Sequence, residues 1–262
     1  MNYHILTLFP EMVTQGLSES ILGRAAKKGL LSVNAVNIRD YTADRHKKVD
    51  DYPYGGGAGM LMQAQPVYDA WKAACEEIRS RQPEELRDRP VRTVYVTPQG
   101  AVFNQQMAKE FAKEEDLIFL CGHYEGIDER VLEETVTDYV SIGDYVLTGG
   151  ELGALVLIDC VARLCPGVLA DESCYEQESH WDGLLEYPQY TKPAVWHGVA
   201  VPEIITNGNH AAIARWRREQ SLKTTYEKRP ELLRTAPLTE KDKWYLRTIG
   251  WTDDPDDGSR TG

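Results

Sequence analysis

The stretch DLIFLCGHYEGIDER, residues 116–130, decides the fold class. Leu117–Cys121 is a continuous apolar run, the pattern of a strand buried on both faces of a sheet. It stops at Gly122, and a helical pattern resumes over Ile127–Thr135. A glycine-bearing loop therefore joins the carboxyl end of a strand to a helix. The same unit recurs on both sides. Val91–Thr97 reads as a strand that ends in TPQG at 97–100 and leads to a helix over Asn104–Glu114. Tyr139–Ile142 reads as extended, followed by SIGDYVLTGGEL at 141–152 and a helix over Glu151–Leu164. Upstream, Tyr3–Phe9 and Leu31–Ile38 read as strands around a helix at Leu17–Lys28, with Gly29 at its C-cap. Gln65–Arg81 predicts a further helix. Strands alternating with helices predict an α/β domain with a mostly parallel sheet over residues 1–166.

Beyond Gly167 the alternation fades, and the chain reads as irregular to about Asn207. Residues 167–187 are expected to be an interdomain linker. Asn209–Tyr226, Pro230–Leu233 and Thr239–Ile249 predict a small helical C-terminal domain over 188–252, supported by Ser/Thr/Asn starts and by proline at a first helical position. Residues 253–262, DDPDDGSRTG, read as a disordered acidic tail.

Composition narrows the function. No run of roughly 18 apolar residues exists, so no membrane helix is expected. MNYHILTLFPEM reads as a first strand and not as a signal peptide. The five cysteines are odd in number and contain no CxxC, so neither a disulfide framework nor a zinc site follows, and a cytoplasmic location is the simplest reading. The net charge of −12 argues against a grip on nucleic acid spread over the whole surface. Charge is unevenly placed, however. Arg215, Arg217, Arg218, Lys223, Lys228 and Arg229 form one basic segment.

Several nucleotide-site motifs are missing. There is no GxxxxGK[ST], no HExxH and no GxSxG. GGGAGM at 55–60 fails GxGxxG because position 60 is Met. Five segments carry more glycine and functional side chains than folding needs: DRHKKVDDYPYGGGAGM at 44–60, TPQG, CGHYEGIDER at 121–130, SIGDYVLTGGEL, and ESHWDGLLEYPQYT at 178–191. Three of them follow strands. Ligands of open α/β sheets bind outside the carboxyl ends of strands, so three such loops at one edge would make a pocket read largely through backbone. The plainer reading of any one of them is a tight turn.

Together these segments resemble the loops of bacterial tRNA (guanine-N1)-methyltransferases, of the knotted SpoU–TrmD superfamily. The resemblance runs from LFPEM at 8–12 to RPELL at 229–233. It implies a deep trefoil knot, which no spacing argument would suggest. It implies S-adenosyl-L-methionine as methyl donor, tRNA with G36-G37 as substrate, methylation of guanine 37 at N1 that maintains the reading frame, and an obligate homodimer with shared sites. By position, the donor pocket would use Pro98, Gly100, Gly122, Tyr124, Glu125, Gly126, Ile142, Gly143, Tyr145, Leu147, Gly149 and Gly150. For Ile142 and Leu147 the alternative is ordinary core.

Guanine N1 must lose its proton before it can attack, which calls for a carboxylate. Charge then collects on O6, which calls for a cation. The resemblance assigns the cation to Arg163, which a helix C-terminus would also favour. It assigns the carboxylate to Glu178, where the best-known members have Asp; Asp182 and His180 are the nearby rivals. Asp50 and Gly59 match positions near the guanine, and Arg215, Arg217 and Arg218 are candidate tRNA contacts. Mg²⁺ stays open as a further cofactor, with Glu125 as its candidate participant. Three alternatives also stay open: a knotted methyltransferase acting on ribose or another base, a non-catalytic RNA-binding adaptor, and an unrelated nucleotide-binding α/β enzyme.

Overall fold

A computed structural model of the protein describes residues 1–171, 173–176 and 178–252. The expected disordered tail at 253–262 lies outside them. The chain forms two compact units, Met1–Glu172 and Ser173–Gly262.

In the first unit β1 (Asn2–Thr7) leads through α1 (Pro10–Leu17) and α2 (Ser20–Lys27) to β2 (Ser32–Asn37). A short antiparallel ladder, β3 (Asp50–Asp51) with β4 (Leu61–Met62), precedes α3 (Ala64–Arg81). Then come β5 (Thr93–Val102), α4 (Gln105–Phe111), β6 (Asp116–Cys121), α5 (Glu129–Thr135), β7 (Asp138–Ser141) and α6 (Glu151–Ala162). The sheet order is β2-β1-β6-β5-β7, and every neighbouring pair is parallel.

The apolar run at Leu117–Cys121 is the central strand, with Leu120 paired to Leu6 on one side and Tyr95 on the other. Its side chains alternate between two cores, as the strand period requires. Leu117, Phe119 and Cys121 share one core with Leu157, Val161 and Phe111. Ile118 and Leu120 share the other with Val67, Ile78 and Leu132. This is why the strand carries no polar alternation.

Two local expectations change. The helix expected over Leu17–Lys28 is α2, and a further helix, α1, precedes it where the sequence reading had none; Ser20, at a positive φ of 53°, separates the two. The first begins at Pro10, whose fixed φ suits a first helical position. The loop TPQG at 97–100 lies inside β5 as a bulge, since Val96 and Ala101 both pair with Val140. Gly100 makes the bulge possible. A Cβ there would stand 2.3 Å from Val140 N.

The second unit contains α7 (Ser173–Glu176), a hairpin of β8 (Val195–Trp196) and β9 (Val199–Ala200), α8 (His210–Lys228), a 3-10 turn at Pro230–Arg234 and α9 (Glu240–Thr248). The hairpin turns through His197 and Gly198, both at positive φ, within a stretch the sequence left irregular. Leu184, Leu222, Leu233 and Leu246 form a small core. Asn209 caps α8, and a capping box of Thr239 and Asp242 starts α9. Among the described residues no helix is long and apolar enough to cross a membrane.

Candidate active site

The loops after β6 and β7 are clasped together at the carboxyl edge of the sheet. Gly150 N donates to Gly122 O at 2.9 Å, and His123 and Gly149 form an antiparallel bridge. Two glycines permit this approach. A Cβ on Gly150 would stand 2.8 Å from Cys121 Cα, and one on Gly149 would stand 2.5 Å from Glu151 Oε2. Gly122 and His123 thus lie beside Gly149 and Gly150, and Tyr124, Glu125 and Gly126 follow in the same loop. Pro98 and Gly100 sit in the β5 bulge, next to β7.

Within the loop after β7, Ser141 Oγ both donates to Gly143 O and accepts from Gly143 N. Tyr145 Oη donates to Ile142 O at 3.1 Å. Leu147 is exposed, as are Tyr145 and Val146, so Leu147 is not core; Ile142 packs against the core from its margin.

Three groups at this edge were not singled out from sequence. Glu151 is buried at the start of α6 and accepts a 2.7 Å hydrogen bond from Thr7 Oγ1, which ties β1 to the clasp. His123 stacks on Tyr124, meets the Phe9 ring edge-on, and keeps Nδ1 buried without a protein partner. Arg39 donates to Tyr124 Oη at 3.2 Å and to Lys47 O at 3.3 Å. The available signals were weak: an acid beside Gly149-Gly150 in an otherwise apolar helix, and an arginine just before DRHKKVDD. Burial and then the Glu151 carboxylate push the Cys121 thiol well up, so it holds no nucleophilic thiolate at neutral pH.

The segment at 44–60 joins the same edge. Glu125 N donates to Met60 O at 3.0 Å, and Met62 N donates to Gly126 O at 2.9 Å. Gly59 has a φ of 89°, and a Cβ there would meet Glu125 Oε1 at 2.3 Å. Only glycine fits. Asp50 pairs with Met62 in the short ladder. The structure therefore brings the candidate donor loops and the candidate guanine loop together.

It does not bring Arg163 to them within one chain. Gly150 starts α6 at the carboxyl edge, and Arg163 caps its far end. Twelve residues at 1.5 Å each separate these ends by about 18 Å. Beyond Arg163, Gly167 lies against Leu30, whose carbonyl accepts from the Met1 amine at the amino edge. Arg163 stands at the opposite edge from the clasp.

Glu178 belongs to the second unit. There it lines a cleft of about 290 Å³ with Glu176, Asp182, Arg217, Arg218 and Ser221. Arg217 lies over the Tyr187 ring at 4.8 Å. Arg215 is exposed and approaches Glu219 at 3.8 Å. Arg218 is placed differently from the expectation of a tRNA contact. Its Nε and Nη2 donate to the two Asp242 oxygens at 3.1 and 3.0 Å, and Nη1 donates to Asp182 at 2.6 Å. Its donors are committed within the unit.

Fold and site define an α/β protein with a backbone-rich ligand edge built from clasped glycine loops on a parallel sheet. A family model described as tRNA (Guanine-1)-methyltransferase TrmD matches residues 1–235. Curated proteins named tRNA (guanine-N(1)-)-methyltransferase are similar over almost their whole length. The one from Lachnoclostridium phytofermentans is 52% identical, over 95% of this chain and 97% of its own. The one from Ruminiclostridium cellulolyticum is 56% identical, over 90% and 98%. The one from Lachnospira eligens is 57% identical, over 88% and 94%. The chain belongs to the tRNA (guanine-1)-methyltransferase TrmD family.

Proposed function

We propose that this protein methylates N1 of guanine 37 in tRNA, next to G36, using S-adenosyl-L-methionine. The clasp between Gly122 and Gly150 carries the reading, because it gathers at one edge the loops by which the chain resembles its family. The edge suits the donor. Backbone is brought close by glycine, Tyr124, Tyr145 and Leu147 offer exposed apolar walls, and His123 Nδ1 is a buried polar atom in want of a partner. Pro98, Gly100, Glu125, Gly126, Ile142 and Gly143 complete the proposed pocket. We further propose that the chain threads here as a deep trefoil knot, through Pro98, Gly122–Gly126 and Ile142–Gly150.

When bound, S-adenosyl-L-methionine supplies a sulfonium methyl group open to in-line displacement. The chain's own residues do the rest. Asp50 and Gly59 hold the guanine. Glu178 takes the N1 proton, and Arg163 faces O6, where negative charge grows as that proton leaves. Arg163 stands about one α6 length from its own donor loops, so the proposed enzyme is a homodimer whose sites combine the donor loops of one subunit with Arg163 and Glu178 of the other. The exposed Leu152 and Val156, one turn apart on α6, and the exposed Met12 on α1 support a covered apolar face. Glu125 stays the candidate participant for Mg²⁺, an ion commonly held by one or two carboxylates together with substrate oxygens and water. The methylation would take place in the cytoplasm, on tRNA, and would maintain the reading frame.

The test is chemical. The protein is incubated with unmodified tRNA carrying G36-G37 and labelled donor, and the digest is resolved by mass spectrometry. Label in 1-methylguanosine at position 37 is expected. Label in ribose, in another base or in nothing would overturn the reading.

A further inference from the structure

Arg218 and Asp182 hold the loop that carries Glu178. Within that loop Trp181 N donates to Glu178 O at 3.3 Å, His180 N donates to Leu184 O at 2.7 Å, and Glu186 N donates to Ser179 Oγ at 2.9 Å. The loop is thus a closed turn. Three attachments fix it. Leu184 is buried in the core with Leu222, Leu233 and Leu246. Leu185 N donates to Thr225 Oγ1 on α8 at 2.9 Å. Asp182 accepts from Arg218 Nη1 at 2.6 Å, and its other oxygen accepts from Leu184 N at 3.3 Å.

The anchor itself is rigid. The other edge of the Arg218 guanidinium grips Asp242 as a bidentate fork, the strongest geometry for this pair. Asp242 is buried and also closes the α9 capping box by accepting from Thr239 N and Oγ1. Burial alone pushes its carboxyl up, but the bonds from Arg218 and Thr239 outweigh that and hold it below the usual carboxylate range. Asp242, Arg218 and Asp182 therefore form a charged chain from the start of α9, across α8, to the loop. Nothing in folding a small leucine core demands the last link, since Leu184 and Thr225 already secure the loop's far side. The link to Asp182 secures the side facing Glu178, in the cleft both residues line.

We propose that Arg218 is a positioning residue, acting through Asp182 to hold Glu178 at the reacting guanine, and is not a phosphate contact. This rests on Glu178 being the base. A carboxylate displaced by about 1 Å forfeits on the order of 100-fold in rate.

The test uses the full-length protein with Asp182→Asn, Arg218→Gln, the double variant and Glu178→Gln. Asp182→Asn leaves the fork on Asp242 intact while it removes the charge and one of the two acceptor oxygens that Asp182 divides between Arg218 Nη1 and Leu184 N, so the charged link to Arg218 is lost. It should lower the single-turnover rate at saturating tRNA roughly 10- to 100-fold. The tRNA KM, its salt slope and donor affinity should stay near wild type, and the rate should still rise with pH along the base's limb. Arg218→Gln should lose rate in the same way, and the double variant should be no worse than the poorer single one, because both cut one link. If Arg218→Gln instead raises KM and reduces the salt slope by about 1, Arg218 is an RNA contact and the proposal fails. A wild-type rate for Asp182→Asn also overturns it. Should Asp182→Asn abolish the rising pH limb, Asp182 is itself the base. A Glu178→Gln enzyme with wild-type rate would instead defeat the assignment of the base. Should Arg218→Gln not fold for want of the Asp242 fork, Asp182→Asn decides alone.

Discussion

Glu178 carries one methylene more than the aspartate that the family resemblance places at its position. The turn around it is closed by hydrogen bonds at Ser179, His180 and Trp181, so the backbone has little room to absorb a change in side-chain length. Glu178→Gln keeps the size and removes the basicity. Single-turnover methylation should fall roughly 100- to 10,000-fold, with donor and tRNA affinities unchanged. Glu178→Asp should also lose rate, since the shorter arm leaves the carboxylate short of N1; an Asp variant as fast as wild type would show that the loop is not built for the longer side chain. Gly149 makes a second residue-scale case. Its missing Cβ leaves room for Glu151 Oε2, while the Thr7 hydroxyl holds the other carboxylate oxygen, Oε1. Gly149→Val must push Glu151 aside or open the clasp, so calorimetry should show donor binding lost while the thermal unfolding transition is retained. Glycines and lone acids at strand ends were visible in the sequence as types. Their partners were not: Thr7 and Glu151 lie 144 positions apart, and no periodicity links them.

Elements were read well where short-range chemistry sets them. Asn104, Asn209 and Thr239 each cap the following helix through a side-chain oxygen, a local effect that spacing reveals; Asp128 caps α5 in the same way, inside a segment read as helical from Ile127. The β5 bulge was missed because it depends on Gly100 lying against the backbone of β7, a contact made across the sheet. Helix α8 shows the same division. Its sequence shows a dense run of cations, but the structure sorts them into different tasks. Arg218 is engaged by two carboxylates, Arg217 covers Tyr187, and Arg215 and Lys223 are largely exposed with only distant i,i+4 acids at 3.8 Å. Exposed pairs at that separation are worth little, so both cations are available to phosphates. Replacing Arg215 and Lys223 together by Gln should raise the tRNA KM several-fold and reduce the salt slope by up to about 2, with the single-turnover rate at saturating tRNA preserved. An unchanged slope would reduce α8 to a solvated face.

At the scale of the whole molecule, α6 is the organising element. It starts at the donor-side clasp and ends at Arg163, so one helix carries a donor-loop residue and the proposed O6 partner at opposite edges of the sheet. The sequence already reads as a helix leaving a strand of a mostly parallel sheet, and the observed parallel strand order fixes its run from the carboxyl edge back to the amino edge. The consequence is a complementation experiment. Gly149→Val disables the donor loops, and Glu178→Gln disables the base. If each site draws these from different subunits, every homodimer of either variant has two dead sites. A mixed dimer concentrates both defects in one site and leaves the other with wild-type donor loops and a wild-type Glu178. Co-refolding equal amounts of the two inactive variants should therefore restore about one quarter of wild-type activity, since half the dimers are mixed and each holds one intact site. Sites contained within single chains would give no recovery at all, because neither variant chain holds a complete set. The mixture thus separates shared from unshared sites without requiring any distance between the subunits to be known.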